Sequence, residues 1–161
     1  GAQLAVVGAC VDREPTMAGK PARPLLEATC TRLGCHRPIF VGDRLDTDIL
    51  GARNAGITSL FVLTGAHGVH DLMDADPDRR PDHIGADLGA LLEPPQRVVV
   101  DGDAARCDGQ LVRQIDGDLE VDLTNHDMAA QLCGVRALLE LVWTDRVPVN
   151  HDALSVFDLL H

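Results

Sequence analysis

Basic charge is scarce in this sequence. Fourteen Lys and Arg stand against 25 Asp and Glu, a formal net charge of −11, and the isoelectric point is near 4.8. Such a surface argues against nucleic acid, which needs a basic face, and against docking onto anionic lipid. Lysine is scarcer still: Lys20 is the only one among fourteen basic residues. Long apolar runs are missing, and none approaches the roughly 18 residues of a membrane span. No signal-peptide pattern opens the chain, so the expected location is cytoplasmic. The five cysteines (Cys10, Cys30, Cys35, Cys107, Cys133) contain no C-x-x-C. Odd in number, they point away from a disulfide framework or zinc site and toward reduced, buried thiols. An initial Met is absent too: the chain opens at Gly1-Ala2-Gln3, and the expectation is a piece of something longer.

What is present suffices for a core. Of 161 residues, 45% are hydrophobic and 24% charged, which fits one domain or one domain plus a small appendage. Residues 1–18 begin apolar, with no boundary signal before Glu14-Pro15. Leu26, Cys30 and Leu33 recur at helical spacing between Pro24 and Leu33, and Gly34 is the stop. Pro38 to Val41 reads as a buried strand ending in Gly42-Asp43. Thr47 to Ala55 reads as a helix with carboxylates in its first turn and Gly56 past its end. A strand follows over Thr58–Leu63, then a weak helix over Gly68–Ala75, a short strand at Asp82–Ile84 and a capped turn at Asp87–Leu92. Strand–helix–strand alternation with short connections implies a parallel sheet covered on both faces. Residues 1–93 are therefore expected to be an α/β module.

Glu93-Pro94-Pro95 marks a joint, and the pattern changes beyond it. Arg97–Val100, Gln110–Ile115 and Leu119–Thr124 are β-like and punctuated by Asp101-Gly102, Asp108-Gly109 and Asp116-Gly117, which predicts a meander of hairpins. A helix should start near Asn125, with Thr124-x-x-Asp127 resembling a capping box. Met128, Leu132, Val135, Leu139 and Val142 form a single core-facing stripe on it. Formal charge divides as −4 for residues 1–95 and −7 for residues 96–161, so neither part is a basic module.

Three features of the α/β module carry chemistry. Gly19-Lys20-Pro21 places the lone lysine in a turn before a helix. Gly42-Asp43-Arg44-Leu45-Asp46-Thr47-Asp48 is a carboxylate-rich loop at the C-terminal end of a strand. Gly51-Ala52-Arg53-Asn54-Ala55-Gly56 leads into the strand ending Val62-Leu63-Thr64-Gly65. In an open α/β sheet, ligands bind where strands end and helices begin, and helix N-terminal amides there favour phosphate. Asp43 offers a hard oxygen to Mg²⁺, which takes a carboxylate or two with waters and substrate oxygens. Asp48 could hold one of those waters or orient Asp43. Lys20 supplies a compact positive charge to a phosphoryl group in its transition state. The arrangement calls for Lys20 and Asp43 to converge on one ion and its phosphate.

The joint pattern, G-K-P and then G-D-x-x-x-T-D 22 residues later, resembles the C-terminal half of the core of haloacid dehalogenase (HAD) superfamily phosphatases, in particular the NagD-type branch with a large C2 cap. The likeness runs from Gly19 to about Leu92. It implies a HAD-type, Rossmann-like parallel sheet, with residues 1–18 as the tail of the cap, 19–93 as half of the core and 94–161 as an appended α+β meander-plus-helix region. It further implies that Lys20 contacts the phosphoryl group, that Asp43 is a Mg²⁺ ligand and that Asp48 is its supporting carboxylate. Asp46 and Asn54 match recurrent positions and are expected to make loop hydrogen bonds and a cap.

The family's nucleophile sits in an N-terminal D-x-D-G-[TV] motif, and none precedes Gly19. An aspartyl-phosphate route needs that carboxylate, so these residues alone are expected to be silent, their missing N-terminal segment being one partner and a small phosphorylated metabolite the other. Val98-Val99-Val100-Asp101-Gly102-Asp103 mimics a strand followed by D-x-D but reads as a hairpin turn. Gln131-Leu-Cys-Gly134-Val-Arg136 nearly matches the pyrophosphate loop of GNAT-type acetyltransferases; Arg136 replaces the final Gly/Ala, and Gly134 falls inside the helical stripe. That degenerate region is expected to serve packing or homo-oligomer contact, with Trp143 as core or interface anchor. His67 and His70 follow the Thr64-Gly65 strand end, where they could line the site mouth, but the loop surface is the expectation. The competing function is a non-catalytic regulatory or assembly module. A receiver-type phospho-acceptor also uses Asp and Lys, but its lysine follows the acceptor, whereas Lys20 precedes Asp43.

Overall fold

The structure is a computed structural model that describes residues 2–13, 16–116, 118–144 and 146–160. The boundary pair Glu14-Pro15 and the turn residue Gly117 lie outside the described residues. A first helix α1 (Ala2–Gly8) buries none of its residues. Helix α2 (Pro24–Leu33) ends as its sequence dictates, with Gly34 at φ 62° donating to the carbonyls of Cys30 and Thr31. Strand β1 (Ile39–Gly42), strand β2 (Thr58–Val62) and strand β3 (His83–Gly85) form one parallel sheet in the order β1-β2-β3. Val41 lies beside Leu60, and Phe61 beside Ile84.

β2 is the interior strand, and Ser59, Leu60, Phe61 and Val62 are buried in succession. Consecutive burial means that both faces of that strand are covered. β1 departs from the buried strand expected of it: Ile39 is exposed and Phe40, Val41 and Gly42 are half-buried. The reason is position, because β1 is an edge strand and pairs only with β2.

Between β1 and β2 the helix starts earlier than the charge pattern suggested. A π-helical turn, Leu45–Ile49, runs directly into α3 (Leu50–Ala55), which stops at Gly56 with φ 67°. Helix α4 (Val69–Met73) follows β2, with Asp71 accepting from the Gly68 amide. A short 3₁₀ helix over Leu88–Leu92 is capped by Asp87, which accepts from Gly89 N at 2.6 Å.

Beyond Pro95 an antiparallel meander forms from β4 (Val98–Asp101), β5 (Ala104–Cys107), β6 (Gln110–Ile115) and β7 (Asp118–Asp122). β5 lies outside the strands that the sequence pattern predicts. Asp101-Gly102 is the hairpin that joins it to β4, with Asp101 opposite Ala104. Asp108 at φ 44° and Gly109 at φ 82° make the next turn left-handed, as a two-residue hairpin requires. Helix α5 (Met128–Trp143) is capped by Asp127, whose carboxylate accepts from Ala130 N. Thr124 takes no part in that cap; its amide donates to the buried Gln110 side chain.

α5 is not the one-striped helix that its spacing predicted. Ala130 through Val135 and Ala137 through Leu139 are buried, as are Leu141 and Val142, while Met128 is exposed. The cause is that α5 lies between two layers. One side packs on β4, β5 and β6 and another on α4, so a single apolar cluster includes Phe61, Leu72 and Ile84 along with Val112, Leu138 and Phe157. Polar bonds stitch the same seam. Arg136 donates Nε and Nη2 to the Ile84 carbonyl, and Trp143 Nε1 donates to Leu72 O at 3.0 Å. The composition pattern that marks a joint at Pro94-Pro95 therefore does not mark a gap in the core.

The acetyltransferase-like motif also finds a structural explanation. Gly134 is mid-helix, and a Cβ on it would stand 2.7 Å from Phe157 Cε1 and 2.8 Å from Leu123 Cδ2. The glycine is there so that Phe157, fully buried, can seat against the helix. All five cysteines are free, but only Cys107 and Cys133 are buried; Cys10 is exposed and Cys30 and Cys35 are intermediate. None of the described helices is long and apolar enough to cross a membrane.

Gly134→Ala sets two effects against each other. Helix propensity would return about 1 kcal/mol, while overpacking against a fixed aromatic costs roughly 1–3 kcal/mol. We expect a net loss, seen as a lower urea midpoint with an unchanged slope.

Candidate functional site

The site forms at the C-terminal end of β1, where the chain leaves the sheet. Asp43 follows Gly42 directly, and its half-buried carboxylate lies against Gly65 in the loop after β2. A side chain at 65 would collide with that carboxylate, so glycine is required there for steric reasons. The two loops are laced together. Ala66 N donates to Asp43 Oδ2 at 2.7 Å, His67 N donates to the Asp43 carbonyl at 3.1 Å, and Leu45 N donates to His67 Nδ1 at 3.0 Å. Among the described residues Asp43 Oδ1 has no hydrogen-bond partner, which leaves one hard oxygen available.

Asp48 sits in the π-helical turn and is the only buried acidic side chain among the described residues, 4% exposed. A buried carboxylate without partners costs several kcal/mol. This one has two: Lys20 Nζ donates to Oδ1 at 2.5 Å, and Arg44 N donates to Oδ2 at 3.2 Å. Its carboxyl group crowds Gly42, where a Cβ would collide with it. The π-turn has a clear local cause, since both Asp48 N and Ile49 N converge on the Arg44 carbonyl.

Lys20 therefore reaches the strand tip through Asp48. Its side chain is 41% exposed, and its ammonium lies 5.6 Å from the centre of the Phe40 ring. Joined to Pro21 by a cis peptide bond, it is held from behind by Asn54, whose Nδ2 donates to Pro21 O at 2.9 Å. Asp46 turns outward and makes a two-pronged pair with Arg44, at 3.1 and 2.8 Å. The Arg44 guanidinium holds the Asp46 carboxyl below the usual carboxylate range, and Asp46 in turn raises Arg44.

The structure thus gathers the predicted residues around one strand end, with a division of contacts that spacing alone did not foretell. Asp48 contacts Lys20, and Asp43 is oriented by Ala66. His67 is the residue that sequence reasoning placed wrongly. It is half-buried and ties the Leu45 amide to the loop after β2, and no periodicity or spacing could have signalled that. Among the described residues no three His, Cys, Asp or Glu side chains gather as a metal-binding group. Asp43 alone is a fitting start for Mg²⁺, which keeps several waters and binds through one or two carboxylates plus substrate oxygens.

The HAD-hydrolase-like family matches residues 17–91, the span that holds every one of these contacts. That span is similar to a HAD-like hydrolase domain. It is 44% identical over 91 residues to the D-glycerol 3-phosphate phosphatase of Mycobacterium tuberculosis, covering 56% of this chain and 26% of that protein. Phosphoglycolate phosphatase 2 of Arabidopsis thaliana is 36% identical over 100 residues, 59% of this chain and 33% of its own length. A crystal structure of the M. tuberculosis glycerol phosphate phosphatase in complex with magnesium superposes with a TM-score of 0.64 at 31% identity. It covers 99% of this chain and 48% of that one, so the likeness includes the meander and α5. The chain spans about a quarter to a third of the curated relatives described and about half of the solved one.

The Arg44–Asp46 pair gives a titration with a definite sign. Asp46 has its folded pKa lowered from 3.8, so its contribution is present above the unfolded pKa and disappears as pH falls through the folded value. Carboxyl-carbon NMR should show Asp46 titrating below 3.8, and Arg44→Gln should bring the midpoint back up. An unchanged midpoint in that variant would refute the pairing.

Proposed function

We propose that this chain is the phosphate-gripping half of a Mg²⁺-dependent phosphomonoester hydrolase acting on a small phosphate ester, such as glycerol phosphate. The observation that carries the reading is the strand-tip arrangement: Asp43 keeps one carboxylate oxygen without a hydrogen-bond partner among the described residues, and the neighbouring Gly42 packs against buried Asp48, onto which Lys20 is locked. Asp43, with Gly65 and Ala66 fixing its orientation, would hold the metal. When bound there, Mg²⁺ offsets charge developing on the transferred phosphoryl oxygens.

The remaining roles belong to the chain's own side chains. Lys20 presents its ammonium to the phosphoryl oxygens and to the attacking carboxylate. Asp48 holds that ammonium in place, so little reorganisation is needed at the moment of reaction. His67 keeps the two loops in register and thereby holds the Asp43 backbone.

The attacking aspartate is assigned to a segment outside these 161 residues. The outer edge of β1 supports this, since a parallel edge strand with half-buried Phe40 and Val41 has open N–H and C=O groups suited to one more strand. A carboxylate at the tip of such a strand would stand next to Asp43. Residues 1–18 are read as the tail of a substrate-selecting cap, in keeping with α1 burying none of its residues.

In the full-length parent, Asp43→Asn and Lys20→Ala should each lower kcat at least about 100-fold, the scale of losing one pre-organised electrostatic contact. Removing Mg²⁺ should do the same to the unmodified parent, and the 161-residue chain alone should show no turnover with or without it. Near-normal rates in either variant would refute the assignment.

A further inference from the structure

At the opposite end of the parallel sheet lies a cavity of about 710 Å³ that the strand-tip chemistry does not use. It opens beside the N-terminal ends of β1 and β3, at Ile39 and His83, and its far wall is α5. Two half-buried guanidinium groups line it. Arg80 donates Nε to Ala75 O and Nη1 to Trp143 O, and Arg136 donates Nε and Nη2 to Ile84 O. Backbone carbonyls thus fix both side chains in place, yet neither has a carboxylate within 4.0 Å among the described residues. A guanidinium stays charged at any accessible pH, and partial burial without a counter-charge is unfavourable. In the same wall Trp143 presents its ring, with the Arg80 guanidinium carbon 5.6 Å from the ring centre, and exposed Arg53 stands on the rim.

The lining acids do not cancel this field in the same way. Asp82 is spent on Ser59, accepting from its amide and its hydroxyl at 2.8 Å each. Glu140 lies one turn of α5 beyond Arg136 and makes no ion pair with it, and exposed Glu93 is at the mouth. We propose that this cavity is a binding site for a small organic anion with a planar apolar body. The acidic head would meet the free N–H groups of Arg80 and Arg136 in a fork geometry, and the body would lie along Trp143. Glu140 opposes the head, which gives the site a distinctive response to charge.

The test uses the whole chain and the aromatic sulfonate anilinonaphthalene sulfonate, an anion that is not a phosphate ester. Trp143 is the only Trp, and the chain has no Tyr, so energy transfer from it to the dye reports this cavity. We expect saturable transfer at one dye per chain. Arg136→Gln should weaken the apparent affinity about tenfold, the scale of losing one charge-assisted contact, and Glu140→Gln should tighten it. Arg53→Glu changes only an exposed rim residue, keeps the fold, and should weaken binding several-fold. Asp46→Asn, at the other end of the sheet, should leave dye affinity unchanged. Affinities that ignore the charge at positions 53 and 140 would overturn the proposal, as would absence of saturation or loss of binding in the Asp46 variant.

Discussion

One buried carboxylate organises the α/β half of this molecule. Asp48 is enclosed at the first turn of a helix, where an unpaired negative charge would be untenable. Satisfying it fixes everything nearby: the chain's only lysine must come to it from 28 positions upstream, the Arg44 amide must bend toward it, and Gly42 must lack a side chain. The lysine is thereby committed to the end of β1. Asp43, one residue past the strand, is left free of that network, and its orientation comes from the neighbouring loop. The Asp43 carboxylate and the Lys20 ammonium are thus held by separate contacts.

The second half of the chain is tied to the first by burial more than by any single bond. α5 is enclosed by the meander on one side and α4 on another. The polar bonds across the seam, from Arg136 to Ile84 and from Trp143 to Leu72, use backbone carbonyls of β3 and α4. α4 in turn follows the loop that supplies Gly65, Ala66 and His67 to the site. The appended region is therefore a scaffold for the loop that aims Asp43, at one remove.

Much of this was legible in the residues. Helix stops at Gly34 and Gly56, the parallel strands and the Asp-Gly hairpins follow from local stereochemistry, which acts over a few residues and leaves clear marks. The strand-tip lysine and carboxylates were legible because their spacing is improbable by accident. What could not be read is whatever depends on distant packing. The stripe on α5 predicted one buried face because periodicity cannot count how many layers a helix will meet. β5 was missed because Ala104-Ala105-Arg106-Cys107 has little β-propensity of its own and is held by its two neighbours. His67 was misplaced because its partner is an amide 22 positions away.

The depth of α5 has a consequence for how such chains diversify. Leu72, Met73 and Ile84 are apolar because a helix from the appended region covers or adjoins them. A lineage that discarded the meander and its helix would leave these positions wet, and it would have to trade them for polar residues in the same evolutionary interval. Gain or loss of the tail is then a concerted change written into the half that carries the parallel sheet, and the polarity of those three positions becomes a marker of whether a relative ever carried it.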